Sequence, residues 1–307
     1  MLKTTVDMRR SGESLSSCVM DILGEITLKE VRWLIKKGYV RLGGYTEKKD
    51  VGVAAGDVVD VYLPEDMDMY LPKPKIIYED NNFILYSKPQ GMTCEEDIRE
   101  RNTVFQYAEA HMREKGEIDF ELLITPNICF REDVFTGGMV LVAKHLSAFE
   151  FVMEAMRTRH IKRFYRVLTM GRPEKEAGEL YHYMIQEKKG LRVSAAPRRD
   201  GEPMITRYTY VDGNRDFSML DVEILTARPF QVPAHLAAVG LPVVGANMFG
   251  DVRKNRQLGV NQQAMWASGV HFDTAHMGFY EYLDGRDFLI PEEDMVFPEV
   301  FPPRRRS

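Results

Sequence analysis

Residues Phe130 to Lys144 read FREDVFTGGMVLVAK: an arginine, two adjacent carboxylates, a Thr-Gly-Gly turn and an apolar run that closes on lysine. Asp133 admits two readings. Aspartate is a common turn residue, because its side chain bonds to main-chain N–H groups just ahead of it. A carboxylate in a site that excludes water can also react, as a nucleophile or as a partner for developing positive charge. Arg131 has a plain reading as the surface partner of nearby acids. Tyr165, in the strand-like stretch RFYRVLTMG, has one as a core residue. On spacing alone the plain readings prevail.

A second group of residues is basic. In LKEVRWLIKKG, Lys29, Arg32 and Lys36 recur at i, i+3 and i+7, with Lys37 and Arg41 close behind, and Glu30 is the one acid between Ile26 and Gly44. Such a stripe is either a solvated face opposite an apolar one or a surface that tracks a nucleic-acid backbone. The formal net charge of −5 weighs mildly against a nucleic-acid partner, but it is local charge that neutralises phosphates. The seven histidines show no HxxxH or acid-rich ligand spacing, which disfavours a metal-dependent nuclease or hydrolase. His235 reads as a packed or capping residue.

The elements that must position these groups follow from periodicity. SLSSCVMDILGE predicts a helix carrying Val19, Ile22 and Leu23. LKEVRWLIKKG predicts a second, with Leu28, Val31, Leu34 and Ile35 on one face and Gly38 as its stop. Short strands follow at YVRLGGY and DVVDVYL, then an acidic, proline-bearing linker, PEDMDMYLPKPK. Beyond it, strands are expected at IIYE, FILYSK, ICF, GMVLVAK, RFYRVLTMG, TRYTYVDG and SMLDVEILT. Helices are expected at TVFQYAEAHMREKG, HLSAFEFVMEAMRTR and AHLAAVG. Many strands with scattered helices indicate a mixed, largely antiparallel α+β fold. The boundaries read 12–66 for a small α/β domain, 67–75 for the linker and 76–307 for the larger domain, near the two domains that 307 residues suggest. The first twenty residues hold no signal-peptide run, and no stretch reaches the roughly 18 apolar residues of a membrane span. Cys18, Cys94 and Cys129 form no disulfide framework, so a reduced, cytoplasmic setting is expected. The terminal PPRRRS reads as a solvated end.

The order helix, helix ending IKKGYVRLGG, then AGDVVDV resembles the small RNA-binding module of ribosomal protein S-four type. Gly43 stands where that family usually has Asn. The resemblance implies that Lys29, Arg32, Lys36, Lys37 and Arg41 face RNA. Three stretches of the larger region, SKPQG, FREDVFTGGMVLVAK and TARPFQVPAHLAAVGLPVVGANMFG, resemble the motifs of RluA-type pseudouridine synthases. KRFYRVLTMG and NRQLGVNQQAMWASGVHF support them, in the same order along the chain.

The implied activity is isomerisation of specific uridines in structured rRNA or tRNA. The N1–C1′ bond breaks, the base turns, and it rejoins through C5, with no metal or organic cofactor. The base must leave its stack to be reached. The resemblance implies Asp133 as the catalytic aspartate, Arg131 as the arginine that enters the space left by the flipped base, and Tyr165 as the tyrosine that stacks on uracil and assists proton transfer. It places Lys88, Thr136, Arg228 and Gln231 on the substrate, and the enzyme is expected to be a monomer. The sequence departs from the family at Phe130 and Phe230 (each for His), Glu132 (for Leu), Gly137 (for Ser) and Pro233. Pro233 stands where an arginine pairs with the catalytic aspartate, so Arg228 or Arg131 is expected to take over that pairing. Adjacent residues of an extended segment point apart, so Glu132 is expected to face away from Asp133. The alternative is a non-enzymatic RNA-binding descendant.

Overall fold

The computed structural model describes residues 2–24, 26–64, 73–95, 102–187, 190–260 and 262–298. Most of the expected linker (65–72) and the terminal PPRRRS lie outside the described residues.

A four-stranded sheet near the N-terminus is built from β1 (Leu2–Thr5), β2 (Val40–Leu42), β3 (Tyr45–Thr46) and β4 (Val58–Val61), in the order β1-β4-β2-β3. Strand β1 lies ahead of the expected boundary at residue 12 and completes the sheet by pairing with β4. Helices α1 (Leu15–Leu23) and α2 (Leu28–Lys37) close its core. Each starts at a hydroxyl cap: Ser14 accepts the Ser17 N–H, and Thr27 and Glu30 form a capping box. Helix α2 ends where Gly38 adopts φ 82°, in the left-handed region. Val31, Leu34 and Ile35 are buried as their spacing requires. Leu28 is a correction: it is exposed, at the start of the helix and off the core face.

The second sheet has eleven strands. They are β5 (Lys75–Glu79), β6 (Phe83–Lys88), β7 (Asn127–Ile128), β8 (Gly137–Ala143), β9 (Ile161–Met170), β10 (Ala177–Glu187), β11 (Gly190–Ser194), β12 (Gly201–Gly213), β13 (Phe217–Ile224), β14 (Met265–Phe272) and β15 (Asp287–Leu289). The main path runs β11-β10-β12-β13-β9-β14-β8-β6-β5, with β7 beside β8 and β15 beside β14. The pairings are antiparallel except β14 with β8. Helices α3 (Val104–Glu114) and α4 (Leu146–Arg157) cover opposite faces. The alternation of the strands explains this. Phe83, Leu85, Met139 and Leu141 pack with Ala148 and Val152 of α4, whereas Ile84, Tyr86, Val140 and Val142 pack with Val104 and Ala108 of α3. GMVLVAK is apolar along the whole strand because both its faces are buried. Helices α5 (Gln231–Ala238) and α6 (Val252–Leu258) complete the fold. No helix among the described residues is long and apolar enough to cross a membrane.

Candidate active site

The loop between β7 and β8 carries Phe130 to Thr136 onto the middle of the large sheet. Asp133 performs the turn role. Its Oδ1 accepts the main-chain N–H groups of Phe135 (2.8 Å) and Thr136 (3.0 Å), and its Oδ2 accepts the Thr136 hydroxyl (2.8 Å). It is half-buried, so the turn presents the carboxylate at a surface rather than sealing it in the core.

Directly after the turn the chain must pass close to β14. A Cβ on Gly138 (φ 106°) would lie 2.2 Å from the Ala267 carbonyl oxygen, and one on Gly137 would lie 2.4 Å from the Trp266 ring. The exchange of Ser for Gly137 is therefore tied to Trp266, whose Nε1 donates to Val296 O (3.0 Å). Without that glycine, Trp266 could not lie against the strand that follows Asp133.

Three of the residues expected to bind substrate, Lys88, Thr136 and Gln231, lie inside the fold with protein partners. Lys88 is fully buried at the end of β6, with Nζ donating to the carbonyls of Met92 (2.9 Å), Asp133 (3.2 Å) and Pro89 (3.4 Å). Burial pushes its ammonium below the ordinary lysine value, against the pull of Cys94, Asp133 and Glu132. Thr136 is also fully buried and bridges Asp133 to Gln263, whose Nε2 donates to its hydroxyl (3.0 Å). Gln231 accepts from the Thr226 hydroxyl (2.8 Å) and the Arg228 N–H (3.1 Å), and donates to Ile205 O (3.0 Å) and Thr206 Oγ1 (2.9 Å). Lys88 and Thr136 hold the loop of Asp133 from behind, whereas Gln231 ties the start of α5 to β12.

The two arginines expected to pair with Asp133 lie elsewhere, which is a second correction. Exposed Arg131 pairs with Glu95 (2.6 Å), and Arg228 pairs with Glu202 (2.7 Å) and donates to Pro203 O (3.3 Å). Pro233 sits in the first turn of α5, where its missing N–H matters little, and is buried. His235 is packed. It contacts Thr206 Oγ1 and His182 Nδ1, each at 2.9 Å, and burial with His182 beside it lowers it to about 4.

The cation that sequence reasoning missed is Arg163. On β9, Arg163 and Tyr165 are two residues apart and share a face. Arg163 Nη2 donates to Glu132 Oε1 (2.6 Å) and to the Tyr165 hydroxyl (2.6 Å), and Tyr165 Oη donates to the same Glu132 oxygen (2.8 Å). The guanidinium lies over the Phe130 ring at 4.6 Å. All four residues are buried. Glu132 and Asp133 point apart, Glu132 inward to this cluster and Asp133 back onto its own turn. Burial pushes the Glu132 carboxyl above its ordinary value, opposed by Arg163 and Tyr165, and it pushes the Tyr165 phenol well above its own. The signal for Arg163 was present: a carboxylate replacing leucine in a buried loop requires a cation in the facing strand.

The sequence profile of the RNA pseudouridylate synthase family matches residues 82–238, which include Asp133, Tyr165 and Arg163. The chain belongs to that family. It is 25% identical to the uncharacterised RNA pseudouridine synthase YlyB of Bacillus subtilis, over 90% of this chain and 91% of the relative. It is 23% identical to ribosomal large subunit pseudouridine synthase C of Vibrio cholerae, over 87% of each. Its fold is similar to that of human RNA pseudouridylate synthase domain containing 1, with a TM-score of 0.56 at 16% identity, covering 72% of this chain and 84% of that one. The protein is thus an RNA pseudouridine synthase, an isomerase acting on RNA, with an α+β fold.

Proposed function

We propose that this pseudouridine synthase isomerises a uridine in structured ribosomal RNA, as a cytoplasmic monomer, with Asp133 as the reacting carboxylate. The observation that carries the reading is the half-buried Asp133, fixed by three hydrogen bonds and set beside the buried Glu132–Arg163–Tyr165 cluster. A carboxylate oriented in this way can attack the sugar or stabilise the charge that develops there as the N1–C1′ bond breaks. Ribosomal RNA is favoured over transfer RNA because several relatives are named as ribosomal large subunit synthases.

Arg131 is proposed to fill the space left by the flipped base. Its pairing with Glu95 is exposed, and such pairs are worth only about 0–1 kcal/mol, so little opposes its movement. Tyr165 is proposed to meet the flipped uracil. Lys29, Arg32, Lys36, Lys37 and Arg41 are proposed to hold the RNA backbone at a distance from the reacting base.

The test maps pseudouridine in total RNA from cells with the wild-type protein, with Asp133→Asn, and with no protein. Asparagine still accepts the two main-chain N–H groups of the turn through Oδ1, so the variant keeps the turn and loses the reacting carboxylate. Loss of the same position or positions in both altered strains supports the reading and names the target. Identical maps in all three strains, with RNA binding intact, would sink it.

A further inference from the structure

The buried carboxylate at position 132 takes no part in the chemistry assigned to Asp133, and it stands where the family carries leucine. Its contacts run in one direction. Tyr165 Oη accepts from Arg163 Nη2 (2.6 Å) and donates to Glu132 Oε1 (2.8 Å). Among the described residues, Glu132 is the acceptor of the Tyr165 hydroxyl proton. Arg163 binds the carboxylate as well (2.6 Å), so one guanidinium fixes both oxygens between which a proton would move. Tyr165, Arg163 and Glu132 are all buried.

We propose that Glu132 is a positioning residue that acts through Tyr165, taking up the phenolic proton while Tyr165 removes the proton from C5. The inference rests on Tyr165 meeting the flipped base, as proposed above. Once C5 has bonded to C1′ it still carries its hydrogen. That C–H bond breaks, its electron pair closes the C5=C6 double bond as the N1=C6 π pair formed on C5 attachment returns to N1, and the proton passes to Tyr165 Oη. In the same step the Tyr165 O–H bond breaks and its proton passes to Glu132 Oε1. N1, which kept the electron pair of the glycosidic bond, takes a proton from water, and Glu132 later releases its own to water, so the balance of protons is nil. A neutral phenol is a poor base by itself. A carboxylate behind it lets the phenol accept one proton while losing another. Burial favours the neutral form of Glu132, which makes it a better acceptor than an ordinary glutamate.

The charged and titratable groups around Glu132 are Arg163 and Tyr165 from β9, Lys88 from β6, Cys94, whose thiol donates to the Glu132 carbonyl, and the neighbouring Asp133, which points away but still acts through its charge. The relay requires ionised Glu132. Activity is therefore expected to fall on acidification through a pH above the ordinary carboxylate range, since its value is raised.

The experiment follows release of tritium from RNA labelled with [5-³H]uridine, extracted from cells lacking the protein. Glu132→Gln keeps an acceptor for Arg163 and is expected to slow release by roughly a hundredfold, with RNA affinity unchanged and the acidic limb of the pH profile gone. In a Tyr165→Phe background the same substitution is expected to add nothing, because the two act in one step. Additive losses, or a Glu132→Gln enzyme with the wild-type rate and pH profile, overturn the proposal. Should Glu132→Gln not fold, the wild-type protein decides. A relay requires a solvent deuterium isotope effect that persists on C5-deuterated uridine, and its absence overturns the proposal. No tritium release by the wild type would remove the isomerase reading itself, and this inference with it.

Discussion

At the residue scale, the turn role of Asp133 and the reacting role proposed for it are served by one arrangement. The hydrogen bonds that make it a turn residue also fix its carboxylate. An aspartate missing its arginine was expected to borrow another, but the three donors of Phe135 and Thr136 hold it instead. A consequence is that Pro233→Arg gains nothing. Position 233 is buried in the first turn of α5, and a guanidinium there would need a partner that the turn at Asp133 does not offer. The variant is expected to lose about 3 kcal/mol of stability, as for an unpaired buried charge, without faster turnover. Denaturant unfolding alongside tritium release checks both halves, and a faster enzyme would show that Asp133 does lack a cation. Thr136→Val is the complementary case. It removes the bridge between Asp133 and Gln263 and leaves a buried amide donor unpaired, at a cost of about 1–3 kcal/mol. Turnover should fall together with stability, because the carboxylate is held less firmly.

At the element scale, the helices with clear apolar stripes and the buried strands were legible, and six elements were not, the three-residue β15 among them. Strand β1 is a four-residue strand defined by its partner β4 rather than by a turn signal. Strands β10 and β11 are largely half-exposed and end in a sheet edge, so no buried face marks their period. Strand β14 is broken by a register shift between Ala267 and Gly269, and α6, VRKNRQL, has almost no apolar residues. The Glu132–Arg163 pair leaves no periodic trace either, because it joins two elements, and its one signal in the sequence is the carboxylate standing where the family carries leucine.

A similar cross-element group joins β5, α3 and the end of β8. Glu79 accepts from Lys144 (2.6 Å) and Lys115 (2.7 Å) and contacts His111 (2.9 Å). Burial alone would raise its value, but bonds from Lys115, Lys144 and His111 outweigh it and hold it at about 2. The folded value lies below the unfolded one, so the stabilisation is present above the ordinary glutamate range and is lost as pH falls toward about 2. Glu79→Gln should therefore reduce stability at neutral pH by about 2 kcal/mol. The gap from wild type should close on acidification. An equal gap at neutral pH and at pH near 2 would show that packing, not charge, is responsible.

At the scale of the whole molecule, a chain of net charge −5 must meet a polyanion through one part of its surface. Helix α2 offers such a face. Lys29, Arg32, Lys36, Lys37 and Arg41 lie at least partly open to solvent, and only Arg32 has a carboxylate among their contacts in the described residues, Asp50 at 3.8 Å. Aromatic rings lie among them. Lys37 sits 6.0 Å from the Trp33 ring, Trp33 stacks on Tyr39 at 5.7 Å, and Arg41 covers Tyr62 at 4.8 Å. Charges that track phosphates beside rings on which bases stack suit an RNA strand better than a merely solvated face. The decisive variant reverses Lys29 and Lys36, which lie two turns apart on one face. Glu at 29 favours the positive end of the helix dipole, and Glu at 36 opposes the negative end. Each effect is about 0.3–1 kcal/mol, so the two nearly cancel and the fold is left intact. Binding should weaken for unrelated RNA sequences alike, and the log–log salt slope should flatten by about one unit for each phosphate no longer neutralised. An unchanged slope with weaker binding would assign the weakening to something other than phosphate neutralisation, and an unchanged affinity would make the stripe a solvated face.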